Sequence, residues 1–188
     1  MTSTSPSSLS QRNSIGLPTS PFIRLFFYGS LRKGCLNHHL LYEYFGEEIV
    51  FERLVTTTIP GYLLSLMNRD YPYMTFTSPS NHLSTLIKGA HIIGETYLVP
   101  SCHPGLLKLD ELEDEYSALE VDVRTVDETY TTLRAQAYVI DSKSMLTVDK
   151  LWLKVISKEV FLVENGDWYS IGNKEKKITN EAEEKILR

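Results

Sequence analysis

Apolar positions in this chain fall into short runs, most with a strand rhythm and a few with a helical one. Ile23 to Tyr28 is almost wholly apolar and reads as a strand entering a core, which stops at Gly29. His38 to Phe45 places Leu40, Leu41 and Tyr44 on one side and predicts a short helix. FERLVTTTIPGYLLSL and DYPYMTF are β-rich, punctuated by Pro60-Gly61 and Pro72. Gly89 to Val99, Glu120 to Val126 and Leu133 to Ile140 alternate as strands do, the last followed by the turn pair Asp141-Ser142. Ser144 to Val160 sets Val148, Leu151, Trp152, Val155 and Ile156 at i, i+3, i+4, i+7 and i+8, which predicts a helix. A second helix is expected from Ser101 to Glu113, with Pro104 tolerated near its start. Asn165-Gly166 lies between two apolar runs and predicts a type I′ hairpin. The sum is one α+β domain in which strands dominate.

Composition narrows the class. A chain of 188 residues, 42% hydrophobic and 11% aromatic, can bury one sizeable core. A net charge of −5, with acids and bases mixed along the chain, argues against a nucleic-acid surface. No apolar run approaches the ~18 residues that cross a bilayer. Cys35 and Cys102 cannot make a disulfide framework and read as free thiols of a reducing compartment, so the expectation is a cytoplasmic protein, monomeric or weakly dimeric. Residues 1–21 are rich in Ser, Thr and Pro without hydrophobic period and read as a flexible tail. Residues 173–188 are charge-dense, and the domain is expected to span 22–172.

One acid stands out. In SCHPGLLKLDELE the apolar residues are Leu106, Leu107, Leu109 and Leu112. On a helical wheel Glu113 falls roughly 20° from Leu106 and about 40° from Leu109, among the leucines. Glu111 and Glu115 project the other way, toward solvent. A carboxylate on an apolar face is costly unless it is paired, solvated at the rim, past the helix end, or used as an acid–base whose pKa desolvation has raised.

The motifs together resemble a known family. YGSLRKGCLNHHLL (Tyr28 to Leu41), PGYLLSL, the DYP of Asp70 to Pro72, IIGETYLV, LDELE, AQAYVI and the GDW of Gly166 to Trp168 follow the order of the γ-glutamylcyclotransferase-like superfamily. That superfamily includes γ-glutamylamine cyclotransferases and plant avirulence-induced-gene proteins. The resemblance implies a small mixed β-barrel with flanking helices. It also implies a reaction in which the α-amino group of a γ-glutamyl compound attacks its own γ-carbonyl, releasing an amine or amino acid and 5-oxoproline. By the same resemblance Glu113 is the general acid–base, and Tyr28, Gly29, Ser30, Leu31 and Tyr116 hold the substrate, with no cofactor. A nest of the Gly29, Ser30 and Leu31 N–H groups would hold an anion, which the resemblance implies is the glutamyl carboxylate, with Arg32 or Lys33 adding favourable potential. The alternative is that Gly29 only ends the strand and the two cations are solvated. The family's usual arginine after the tyrosine is missing, since Tyr116 is followed by Ser117-Ala118-Leu119. A non-catalytic binding module on the same fold is the alternative.

Other chemistries fit less well. Cys35, His38 and His39 lack a second ligand pair at zinc spacing, and His82, His91 and His103 are scattered, so no metal is expected. His38 and His39 are instead expected at a helix start and the pocket rim. Ser30 lacks the G-x-S-x-G elbow of a hydrolase nucleophile. The pairs Tyr71/Tyr73 and Trp168/Tyr169 read as core or pocket wall.

Overall fold

The computed structural model describes residues 20–66, 70–78, 87–127, 130–141, 143 and 148–170. Residues 1–19 of the tail expected at 1–21, the whole of the tail expected at 173–188, and the expected helix start at 144–147 lie outside the described residues. The strands are β1 (Phe22–Phe27), β2 (Val50–Thr57), β3 (Tyr62–Leu66), β4 (Pro72–Thr75), β5 (Ile93–Pro100), β6 (Ser117–Thr125), β7 (Thr132–Val139) and β8 (Val160–Leu162). The helices are α1 (His39–Phe45), α2 (Gly105–Leu112) and α3 (Val148–Ile156).

Five strands close into a barrel in the order β1-β5-β2-β6-β7. Its pairs are antiparallel except the closing one, where β1 meets β7 in parallel at Leu25 and Gln136. A second sheet, ordered β4-β3-β8, packs beside it. The fold is thus α+β, a mixed barrel with few helices, as expected.

The unbroken apolar run of β1 follows from burial on both faces. Phe26, with Tyr28 just beyond the strand, joins Val55, Val121, Val123, Ala137 and Val139 in the cluster inside the barrel. Leu25 and Phe27 point outward and pack with Leu41 and Phe45 of α1 and Leu106 and Leu109 of α2. A strand covered on both sides has no solvent face to mark with polar residues. Gly94 of β5 makes room for this packing, since a Cβ there would collide with the Phe26 ring and come within 2.5 Å of the Phe27 carbonyl oxygen. The third cluster joins the second sheet to α3 through Tyr62, Leu64, Tyr73, Leu151, Trp152 and Val160.

Three expectations are corrected. The strand expected from Gly89 begins only at Ile93, and Ala90 makes an isolated bridge with Gly61. Asn165-Gly166 turns the chain but joins no hairpin, because β8 pairs with β3 alone among the described strands and Tyr169 begins a helical turn. A type I′ turn needs positive φ at both central residues; Gly166 has φ 67°, and Asn165 is not in that region. α2 is shorter than expected, running from Gly105 to Leu112, so its wheel does not extend to Glu115. No helix among the described residues is long and apolar enough to cross a membrane.

Candidate active site

A cavity of about 220 Å³ opens between the end of β1, the start of β4 and the end of α2. All six residues singled out by the sequence line it: Tyr28, Gly29, Ser30, Leu31, Glu113 and Tyr116. Sequence reasoning had not assigned Asn37, Asp114, Glu115 or Tyr138 to the site, and these share the wall with Tyr71, Pro72 and apolar side chains of β1 and α2.

The loop after β1 presents donors to this space. Gly29, Ser30 and Leu31 are buried, yet their N–H groups meet no acceptor among the described residues, whereas the next amide, of Arg32, donates to the Gly29 carbonyl at 3.1 Å. A buried N–H without an acceptor is costly and rare unless something else satisfies it. Asn37 fixes the turn from within: its Nδ2 donates to Ser30 Oγ at 3.0 Å and its main-chain N–H to the Ser30 carbonyl at 3.0 Å. The glycine at position 29 is required by a residue of β4. A Cβ there would stand 2.6 Å from Pro72 Cδ, so the missing side chain admits the proline ring.

Glu113 enters from the opposite wall. α2 buries Leu106 and Leu109 against α1 and leaves Leu107 and Leu112 exposed. Glu113 is the residue that ends this helix, with φ −101° and ψ 33°, and its N–H still donates to the Leu109 carbonyl at 3.0 Å. It caps the helix from the first position past its end, and its place in the cavity wall follows from that cap. Its carboxyl has no hydrogen-bond or ion-pair partner among the described residues. Burial, then the neighbouring Asp114 charge, raises its pKa from 4.5 to about 7. The negative end of the helix dipole acts in the same direction.

Two tyrosines complete the surroundings of this acid. Tyr28 Oη donates to the Tyr138 carbonyl at 2.6 Å, and Tyr116 Oη donates to the Pro72 carbonyl at 3.2 Å. Burial raises both phenol pKa values well above the ordinary range; the Glu113 charge is the next contributor for Tyr28, while for Tyr116 it follows the neighbouring Tyr28. Both hydroxyls stay protonated, with their hydrogen committed to main chain. Glu115, expected in solvent, instead lines the wall and accepts a hydrogen bond from Tyr73 Oη at 2.8 Å.

The basic pair divides. Arg32 is buried but faces away from the cavity, with Nη1 donating to Asp167 Oδ1 at 2.7 Å. Lys33 is exposed. His38 and His39 do not line the pocket, contrary to expectation. His38 packs edge-on against Tyr42, with its Nδ1 2.9 Å from the Leu31 carbonyl oxygen, so its ring is held against the loop and not in the cavity.

A closed five-stranded barrel thus carries a donor loop and a desolvated acid on the walls of one cavity. Residues 25–170 match the family described as Gamma-glutamyl cyclotransferase, AIG2-like, and the chain belongs to that family. An AIG2-like protein from Mus musculus has a similar structure, with a TM-score of 0.55 at 18% identity over 79% of this chain and 88% of that one. A uropathogenic E. coli-specific protein also aligns, with a TM-score of 0.53 at 14% identity over 81% of this chain and 96% of that one. No curated protein sequence matches the chain. At these identities the structural likeness concerns the fold.

Proposed function

We propose that the protein is a γ-glutamylamine cyclotransferase that converts a γ-glutamyl amide into 5-oxoproline and a free amine. The observation that carries this reading is the pairing of Glu113, whose pKa stands near 7, with three acceptor-free loop amides in one cavity.

The amides of Gly29, Ser30 and Leu31 receive the substrate's α-carboxylate, which supplies the missing acceptors. The α-ammonium then lies toward Glu113, beside Tyr28 and Tyr116. Ionised Glu113 takes one proton from the ammonium, and the freed nitrogen attacks the γ-carbonyl carbon. A C–N bond closes the five-membered ring and the carbonyl π pair moves onto oxygen. As that pair returns, the bond to the leaving nitrogen breaks and Glu113 hands its proton to that nitrogen. The carboxylate then takes the second proton from the ring nitrogen and passes it to the freed amine, which departs as an ammonium. No water is consumed and the carboxylate ends as it began. Holding the glutamyl chain bent supplies much of the rate through proximity. A carboxyl that titrates near neutrality suits both halves of the proton transfer.

The choice of an amine over an amino acid as leaving group rests on the wall's charge. Among the described lining residues Glu113, Asp114 and Glu115 are acids, and none is Lys, Arg or His. A departing amino acid would bring a second carboxylate toward this wall, whereas an alkylamine brings none. The test is a panel of γ-glutamyl alkylamines and γ-glutamyl dipeptides, assayed for 5-oxoproline with the wild type and Glu113→Gln. Turnover of the alkylamides, with kcat reduced about 10²- to 10⁴-fold in the variant, supports the proposal. Absence of product from every member would leave a binding module, and product undiminished in Glu113→Gln would assign the base elsewhere.

A further inference from the structure

The loop that carries the three free amides is gripped from behind by a buried charge cluster. Arg32 is 3% exposed and turns its guanidinium away from the cavity. Its Nη1 meets Asp167 Oδ1 at 2.7 Å and the Ile93 carbonyl at 3.4 Å, and its guanidinium carbon lies 4.5 Å over the Tyr169 ring. Glu95 Oε1 stands 3.9 Å from Arg32 Nε. The other oxygen of Glu95 accepts the Lys33 main-chain N–H at 2.8 Å and Tyr97 Oη at 3.0 Å. Asp167 is itself oriented, since its N–H donates to Asn165 Oδ1 at 3.1 Å and its Oδ1 accepts the Tyr169 N–H at 3.2 Å.

Neither Glu95 nor Asp167 lines the cavity. A buried ion pair is a poor device for net stability, because desolvating the charges offsets most of their attraction. It is a good device for fixing a position. Arg32 and Lys33 directly follow Gly29, Ser30 and Leu31, so wherever the pair is pinned, the three amides are aimed. Asn37 and His38 set the loop's own shape, while Arg32 and the Lys33 amide tie it to β5 and to the turn at Asp167. We propose that Asp167 and Glu95, acting through Arg32 and the Lys33 main chain, are positioning residues that hold the Gly29–Leu31 donors in carboxylate-binding geometry. This rests on the reading of that loop as the glutamyl carboxylate site.

The test measures 5-oxoproline binding by calorimetry beside steady-state kinetics. Asp167→Ala is expected to weaken 5-oxoproline binding and raise KM, each by at least about tenfold, with kcat within about twofold and the pH midpoint unmoved, because the displaced loop binds worse while Glu113 is untouched. The double variant Arg32→Met/Asp167→Ala removes the cation together with its Asp167 partner, leaves Glu95 held by the Lys33 amide and Tyr97, and has its thermal stability compared with that of Asp167→Ala. Under this assignment its 5-oxoproline binding stays weak. Unchanged binding in Asp167→Ala overturns the proposal, as does binding that returns with stability in the double variant, or a wild type that does not bind 5-oxoproline. If the wild type binds 5-oxoproline but forms none from any γ-glutamyl compound, the cyclotransferase reading fails. The positioning role is then judged on the binding ratio alone.

Discussion

Glu113→Gln should stabilise the protein in alkali while removing its activity. Burial moves the Glu113 pKa from 4.5 to about 7, so between those values the folded chain holds a proton that the unfolded chain has released. Stability linked to this group is therefore intact in acid, falls as pH rises through the window, and is at its lowest above the folded value. At about 1.4 kcal/mol per pKa unit the full deficit is roughly 3 kcal/mol. Glutamine has nearly the same shape and no charge at any pH, so the variant escapes that deficit. Urea denaturation of both proteins at pH 5 and pH 8 isolates the effect, because the two differ only at this group and the tyrosines whose pKa it raises stay protonated across that range. The stability advantage of the variant should grow by about 2–3 kcal/mol between the two pH values. Parallel curves would mean that the carboxyl is solvated in the folded state, and the reasoning behind its catalytic role would fail with it.

Three further outcomes follow from the same geometry. The rate of 5-oxoproline formation should fall as pH drops below about 7, the value to which burial raises Glu113, since only the carboxylate form accepts the ammonium proton; a profile flat down to pH 5 would contradict this. Gly29→Ala places a Cβ 2.6 Å from Pro72 Cδ. It should cost about 1–3 kcal/mol by denaturation and weaken 5-oxoproline binding as the loop moves off the proline. Gly94→Ala drives a methyl group into the Phe26 ring and the Phe27 main chain, and because the β1 backbone cannot yield, its melting temperature should fall further than that of Gly29→Ala.

Much of this was legible in the sequence, for local reasons. The β1 run ending at Gly29 and the alternation in β6 and β7 each report burial directly. Glu113 lines the cavity from the cap position just past α2, so the wheel picked out the right acid although it strictly ends at Leu112. What the sequence could not carry were contacts between distant segments. The partner of Gly29 is Pro72, 43 positions away, and nothing in YGSL marks a proline ring as the reason for the glycine. Arg32 was read as potential for an anion, but Asp167 holds it on the far side of the loop. Asn165-Gly166 has hairpin composition, yet β8 had already found its partner in β3. Glu115 was misplaced because the wheel was carried past the helix end.

A crystal structure of the 5-oxoproline complex tests the central claim most directly. The account predicts the product carboxylate on the amides of Gly29, Ser30 and Leu31, and the ring nitrogen within hydrogen-bond reach of the Glu113 carboxyl. Density that avoids the loop amides, or a Glu113 side chain turned out to solvent beside bound product, would contradict it.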